Sequence, residues 1–248
     1  MPGVSDSSIV ELTTGSLLGG QVRYAQPKAG FRTGIEPVLL AASIPARTGD
    51  RVLEIGTGAG AGLLCLAHRV PGIIGTGVEI NPNLAALAAA NAHDNGLDTL
   101  EFCIADIAEV ALPASFDHAF ANPPYHPGSG TASPHPARRQ AKMADDELFK
   151  IWIGAMARAV RPRGSLTLAL PAGAIPVAMA ALANAGCGSL TLCPLWPRLG
   201  QPAKLLLLRA LRGGRSPFRV LPGLELHGAY GYTDATEAIL RGASSLVL

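Results

Sequence analysis

No two cysteines in this 248-residue chain are spaced as CxxC; Cys65, Cys103, Cys187 and Cys193 stand far apart and offer no disulfide framework. A reducing, cytoplasmic setting is therefore expected. Charge is also scarce, at 15% of residues against 48% apolar ones, which excludes global disorder. Acid is missing altogether between Leu148 and Leu224, a stretch that holds ten lysines and arginines although the whole chain is only +2. That asymmetry fits either a basic face or a solvated rim. The opening MPGVSDSSIVEL lacks a basic segment before an apolar run, so no secretory signal is expected. The one long uncharged run, Gly164 to Pro197, is cut by Pro171, Pro176 and Gly186-Cys187-Gly188. It reads as three buried elements, and no membrane association is expected.

What is present is alternation. Arg51–Ile55 reads as a buried strand, and a glycine turn then leads into a helix over Ala61–Arg69. Ile73–Glu79, Leu100–Ala105 and Phe116–Ala121 read as further strands, with a helix over Pro82–Asn95. A helix over Asp145–Val160 follows, then strand, helix and two strands up to Leu211, and a helix over Thr233–Arg241 in the tail. IEPVLLAA suits a short helix near Pro37, and Trp152, Met156 and Met179 read as core. This pattern predicts an α/β fold, Rossmann-like, with a mostly parallel twisted sheet and helices on both faces. Residues 1–20, rich in Ser, Thr and Gly, read as a flexible N-terminus, and 21–248 as a single domain. The proline-rich Pro123–Arg139 is the one extended loop inside the fold. The six histidines show no metal-ligand spacing, so no metal is expected.

Glu54-Ile55-Gly56-Thr57-Gly58-Ala59-Gly60 lies where the first of these strands hands over to its helix. Glycines there let a ligand approach the backbone. Gly56, Gly58 and Ala61 also satisfy the dinucleotide pattern, so an NAD-type reading stays open, as does a purely structural turn. Glu79, closing the next strand, stands where an acidic side chain can bond both hydroxyls of a ribose. Turn and acid together indicate an adenosine-containing cofactor without saying which.

Asn122-Pro123-Pro124-Tyr125 follows the fourth strand. As an isolated motif it is a turn. Beside a cofactor crevice it suits alkylation of a planar amine or amide nitrogen, whose lone pair is delocalised. Such a site must accept both N–H bonds, and the Asn122 side-chain oxygen and the Pro123 carbonyl are two acceptors aimed by a rigid turn. Tyr125 can stack on a flat base.

Over residues 21–248 the chain resembles the class I S-adenosylmethionine-dependent methyltransferases of the small-domain branch bearing NPPY. Within that branch it is most similar to the bacterial enzymes that methylate adenine N6 beside the anticodon of valine tRNA. KAGFRTGIEPVLLAA (Lys28–Ala42), LEIGTGAGAGLLCLA (Leu53–Ala67) and FANPPY (Phe120–Tyr125) carry the resemblance. It implies that S-adenosylmethionine is the cofactor and tRNA, or another RNA, the partner. Gly56, Gly58 and Gly60 would back the amino-acid part of the cofactor, with Glu54 in the first position of the motif, where the family commonly has Asp. Glu79 would hold the ribose and Asp106 the adenine amino group. Arg32, Thr33 and Gly34 would pack over the methionine end, within a cofactor-covering segment spanning 21–48. Asn122, Pro123 and Tyr125 would be catalytic, with Asn122 also bordering the cofactor. Pro124, Tyr125, Arg138 and Arg139 would meet the substrate. Methylation of a protein glutamine amide, guanine N2 methylation in ribosomal RNA, and a non-catalytic RNA-binding module are the alternatives. Against the glutamine reading, only about fifty residues precede the glycine motif.

Overall fold

Short runs of apolar residues, each closed by glycine or proline, become the strands of one large sheet in the computed structural model, which describes residues 11–29, 33–123 and 136–248, with only the backbone of 136–145. The chain runs β1 (Leu12–Leu17), β2 (Val22–Pro27), α1 (Glu36–Ser43), β3 (Arg51–Ile55), α2 (Ala61–Arg69), β4 (Ile74–Glu79), α3 (Pro82–Asp94), β5 (Leu100–Ile104) and β6 (Phe116–Ala121). It continues with α4 (Pro136–Ala159), β7 (Val160–Pro171), α5 (Ile175–Asn184), β8 (Cys187–Trp196), β9 (Leu205–Arg212), β10 (Arg219–Val220), β11 (Leu224–Glu225) and α6 (Asp234–Gly242). The large sheet has the order β10-β8-β9-β7-β6-β3-β4-β5, with β11 also on β8. Every pairing in it is parallel except those of β9 with β7 and β8. The α/β expectation is met. An antiparallel β9 wedged between β7 and β8 distinguishes this sheet from the all-parallel 3-2-1-4-5-6 order of dinucleotide-binding folds.

Because successive strand residues point to opposite faces, neighbours in sequence feed different cores. Val52, Phe120 and Leu207 join Leu39 and Leu40 of α1 and Leu63 and Leu64 of α2. Leu53, Ala119, Ala121 and Leu208 join Phe149, Ile153 and Met156 of α4 and Leu182 of α5. Both faces are therefore covered, which is what a parallel sheet of apolar strands requires. Strands β4 and β5 are added on one side of β3 before the chain returns to lay β6 on the other. Strand order reverses between β3 and β6, a switch point at whose carboxyl ends open α/β sheets bind their ligands.

Two expectations need correction. Residues 12–17, assigned above to a flexible N-terminus, form β1 and pair with β2 in an antiparallel hairpin. Alternation over LTTGSL is too short to stand out from its Ser/Thr/Gly composition, and the partner strand supplies the missing hydrogen bonds. Residues 1–10 lie outside the described residues. The helix expected from Asp145 begins instead at Pro136, so the loop after β6 is shorter than Pro123–Arg139. Proline at the first helical position is the start signal, since it has no N–H to leave unpaired.

The acid-free segment does not make one basic face. Val160 pairs with Phe116 at the amino end of β6, and the antiparallel β9 finishes at that same edge. Arg158, Arg161, Arg163, Arg212 and Arg215 therefore gather at the amino edge of the sheet, with Arg161 ion-paired to Asp117. Arg198 and Lys204, in the turn from β8 to β9, lie at the carboxyl edge instead. No described helix is long and apolar enough to cross a membrane.

Candidate active site

The turn between β3 and α2 needs its glycines for distinct reasons. Gly56 and Gly58 have φ of +66° and +56°, where an L side chain is strained. A Cβ on Gly56 would also collide with the Trp152 indole, which floors the turn from α4. At Gly58 nothing stands within 4 Å of where a Cβ would be, so this backbone faces open space. Gly60, at φ +90°, caps α2, and a Cβ there would press on Ala88 of α3 at 3.2 Å.

Two carboxyls brace this turn from opposite sides. Glu79, buried at the end of β4, accepts from the Gly58 N–H at 2.8 Å through Oε2 and from the Asn81 N–H at 3.0 Å through Oε1. Each oxygen keeps a lone pair for a further donor. Glu54 lies beneath the turn, accepting from Thr57 Oγ1 at 2.6 Å and the Leu63 N–H at 3.1 Å. Its other oxygen fills the space that a Cβ on Gly62 would need, which is why α2 opens with glycine at its second position. Burial pushes the Glu54 carboxyl up to about 8, outweighing the two hydrogen bonds that favour its anion. Burial thus makes the carboxyl under the turn hold its proton more tightly than an exposed glutamate does. The linkage follows. In the folded protein Glu54 holds its proton to about pH 8, whereas its ordinary value is 4.5. The folded state binds more protons between those values, so this group's contribution to stability falls as pH rises through that window. Glu54→Gln keeps an acceptor and removes the titration. Thermal melts from pH 5 to 9 are expected to show a flatter decline of Tm for the variant; parallel curves would refute the assignment.

Asn91, invisible in the alanine-rich sequence of α3, joins the N-terminal hairpin to the turn. Its Oδ1 accepts from the Ala25 N–H, and its Nδ2 donates to the carbonyls of Ala25 and Ala59, each at 2.9 Å. Nothing but the buried amide itself signals this role. Thr33 is pinned to the same hairpin, its N–H donating to Gln26 Oε1 at 2.9 Å and its hydroxyl 2.7 Å from the buried Tyr24 hydroxyl. Burial raises the Tyr24 phenol to about 12, so this hydroxyl stays neutral. Gly34 follows, exposed; Arg32 lies outside the described residues. Asp106, just past β5, is exposed and caps the next turn by accepting from the Ala108 N–H at 2.8 Å. Beside it Ile80 and Ile104 are two large apolar side chains left in solvent next to Glu79. Sequence reasoning missed both, because each reads as the end of an ordinary strand.

Across the crevice, the register pair Ile55–Ala121 sets the position of the Asn-Pro turn. One step further Gly56 turns out of the strand at φ +66°, its N–H donating to the Val78 carbonyl at 2.8 Å, and Asn122 follows β6 at the same carboxyl edge. Asn122 is half-buried and Pro123 buried. Pro124 and Tyr125 lie outside the described residues. Arg138 and Arg139 belong to the first turn of α4, whose backbone starts at the carboxyl edge. Among the described residues, Gly56, Gly58 and Gly60 lie in the turn after β3 with Glu79 bonded to Gly58 and Glu54 beneath, and Asn122 follows the neighbouring strand β6 at the same carboxyl edge. No three described His, Cys, Asp or Glu side chains come together as a metal cluster.

Comparison with known proteins shows what the chain is similar to. Residues 35–150 match the family described as "Methyltransferase small domain". A tRNA1(Val) (adenine(37)-N6)-methyltransferase of Dickeya chrysanthemi is 28% identical over 215 residues, covering 85% of this chain and 84% of that protein. A release factor glutamine methyltransferase of Rhodospirillum rubrum is 39% identical over 89 residues, so the chain aligns with only 27% of that relative's length. Among solved structures, a predicted O-methyltransferase of Agrobacterium tumefaciens superposes with TM-score 0.72 at 22% identity, over 86% of this chain and 98% of that one.

Proposed function

We propose that the chain is an S-adenosylmethionine-dependent methyltransferase of the small-domain kind that residues 35–150 match, and that it methylates the exocyclic N6 amine of an adenine in tRNA. The observation that carries this reading is that β3 and β6 are adjacent parallel strands whose last ladder pair, Ile55–Ala121, leads into the glycine turn on one strand and into Asn122-Pro123 on the other. It puts two fixed lone-pair acceptors next to the glycine turn.

The residues present fit the cofactor. Gly58 leaves open the space that a side chain would fill, and Glu79 already anchors the backbone there while retaining lone pairs for ribose hydroxyls. Ile80 and Ile104 offer apolar walls for a flat ring, with Asp106 at their side. The hairpin held by Asn91, with Thr33 bonded to its Gln26, is tied to the turn at the Ala59 carbonyl. When bound, S-adenosylmethionine supplies a methyl group on a cationic sulfonium, an already activated electrophile.

The protein's own task is to prepare the nitrogen. Asn122 Oδ1 and the Pro123 carbonyl accept the two N–H bonds of an NH2 group, which favours a pyramidal nitrogen, takes its lone pair out of conjugation with the ring and keeps electron density on nitrogen. The proline ring holds both acceptors in place before the substrate arrives, so little reorganisation is needed during attack. After alkylation the nitrogen is acidic and releases a proton to solvent, so no strongly basic residue is required. Tyr125, by its place in the motif, would stack on the base.

Resemblance over most of the chain to tRNA adenine-N6 methyltransferases supports an RNA acceptor. The stretch of higher identity to a glutamine methyltransferase supports a second reading, since a planar side-chain amide presents the same NH2 geometry. One experiment separates them. Purified protein and labelled S-adenosylmethionine are incubated with transcribed valine tRNA and, separately, with a glutamine-containing release factor. N6-methyladenosine in the nuclease digest is the expected product; label in the protein alone would overturn the tRNA reading.

A further inference from the structure

A second surface lies on the same edge of the sheet, several strands beyond the crevice. Because β9 is antiparallel, the turn from β8 to β9 (residues 197–204) emerges at the carboxyl edge. Strand β11 pairs with the last two residues of β8, so the segment after it (226–232) emerges there too. The two segments brace each other. The Leu226 and His227 N–H groups donate to the carbonyls of Trp196 and Pro197 at 2.8 and 3.1 Å. The Glu225 carboxylate accepts from the Leu199 N–H at 2.7 Å, and the His227 and Tyr232 rings stack with centroids 4.7 Å apart.

On this braced platform three side chains are left to solvent for no internal reason. Tyr230 is 104% exposed, Leu199 82%, and Arg198 is exposed as well. Lys204 joins them at the far end of the turn, and among the described residues neither cation pairs with a carboxylate. Glu225, which pairs with neither, accepts from the Leu199 backbone. An uncovered aromatic face beside unpaired cations has the chemistry of a single-stranded nucleic-acid site, where bases stack and phosphates are neutralised. Arg158, Arg161, Arg163, Arg212 and Arg215 sit at the opposite edge and Arg209 lies within β9, bonded to the Ser43 and Leu248 carbonyls, whereas Arg198 and Lys204 share an edge with Asn122.

We infer that Tyr230, Arg198 and Lys204 form an RNA-docking platform that receives unpaired nucleotides flanking the target base. This rests on the tRNA reading and deepens it. Four strand spacings separate β6 from β11, about 19 Å, so the platform contacts nucleotides a few positions from the one entering the crevice. It adds affinity and register without touching the reacting atoms.

The test uses the full chain with transcribed tRNA. Tyr230→Ala and Arg198→Ala are each expected to raise KM for tRNA about tenfold while kcat and S-adenosylmethionine affinity stay within about twofold. Tyr230→Phe, which keeps the stacking face, restores the parent KM. Arg198→Ala lowers the slope of log affinity against log salt by about one. Arg163→Ala, at the amino edge, changes none of these. Unchanged KM in both alanine variants of an enzyme that methylates tRNA would overturn the platform and leave the tRNA reading intact. Absence of methylation of any RNA by the parent protein would overturn that reading and the platform with it.

Discussion

Asn122→Ala is expected to lower the methyl-transfer rate by about 100- to 1000-fold while leaving S-adenosylmethionine affinity within about twofold of the parent. Losing one preorganised acceptor from a charge-developing centre costs on the order of 3–4 kcal/mol. With Oδ1 gone, one N–H of the target has no fixed partner, and its lone pair relaxes back into the ring. Cofactor affinity is spared because the groups that fit the cofactor, Gly58 and Glu79, stand on the β3 and β4 side of the crevice. Stability is spared because Asn122 lies past the last ladder pair of β6 and is only half-buried. Single-turnover rates and calorimetric binding, measured on the same preparation, check both halves. A matched loss of binding and rate would make Asn122 a structural residue.

The second large effect is expected at Glu79. Glu79→Ala is predicted to weaken S-adenosylmethionine binding by about 100-fold or more, since each hydrogen bond to a charged carboxylate contributes about 1.5–3 kcal/mol. Part of the loss is indirect, because the Gly58 and Asn81 N–H groups lose their acceptor and the turn loosens. Glu79→Gln separates the contributions. It can still accept from one N–H but carries no charge, so an intermediate loss of about tenfold is expected. Isothermal titration with S-adenosylhomocysteine reads both, and parent-like binding by Glu79→Ala would remove the ribose assignment.

Local chemistry was legible from the sequence where neighbours in the chain are neighbours in space. Strands β3 and β6 and helix α2 appear with their anticipated bounds. Each is a dense apolar run ended within one or two residues by glycine, proline or a charged side chain. The helix in the tail was visible from Thr233, whose hydroxyl accepts from the Thr236 N–H and caps α6. Trp152 was correctly read as buried, yet its place under Gly56 was not readable, because α4 and the glycine turn are almost a hundred residues apart in sequence. Asn91 was overlooked for the same reason. A polar residue on an alanine-rich helix carries no mark of the backbone it will clamp. Hairpin β1–β2 was missed because its ladder depends on a partner strand rather than on its own composition.

Charge shows the division most sharply. Counting residues reveals ten basic side chains in a stretch without acids, and a uniform basic face is one natural picture of it. Strand direction breaks that picture. One antiparallel strand, β9, returns half of the segment to the amino edge and leaves Arg198 and Lys204 at the carboxyl edge with the crevice. The glycine turn, the acid at the end of β4 and the Asn-Pro turn were determined by residues within a few positions of one another, since backbone sterics and capping are short-ranged. Which of them stand together, which carboxyl is pushed toward its neutral form, and which cations share an edge with the site were decided only by tertiary structure. Pairing order, burial and strand direction arise from contacts between residues far apart in the chain, and a linear reading has no access to them.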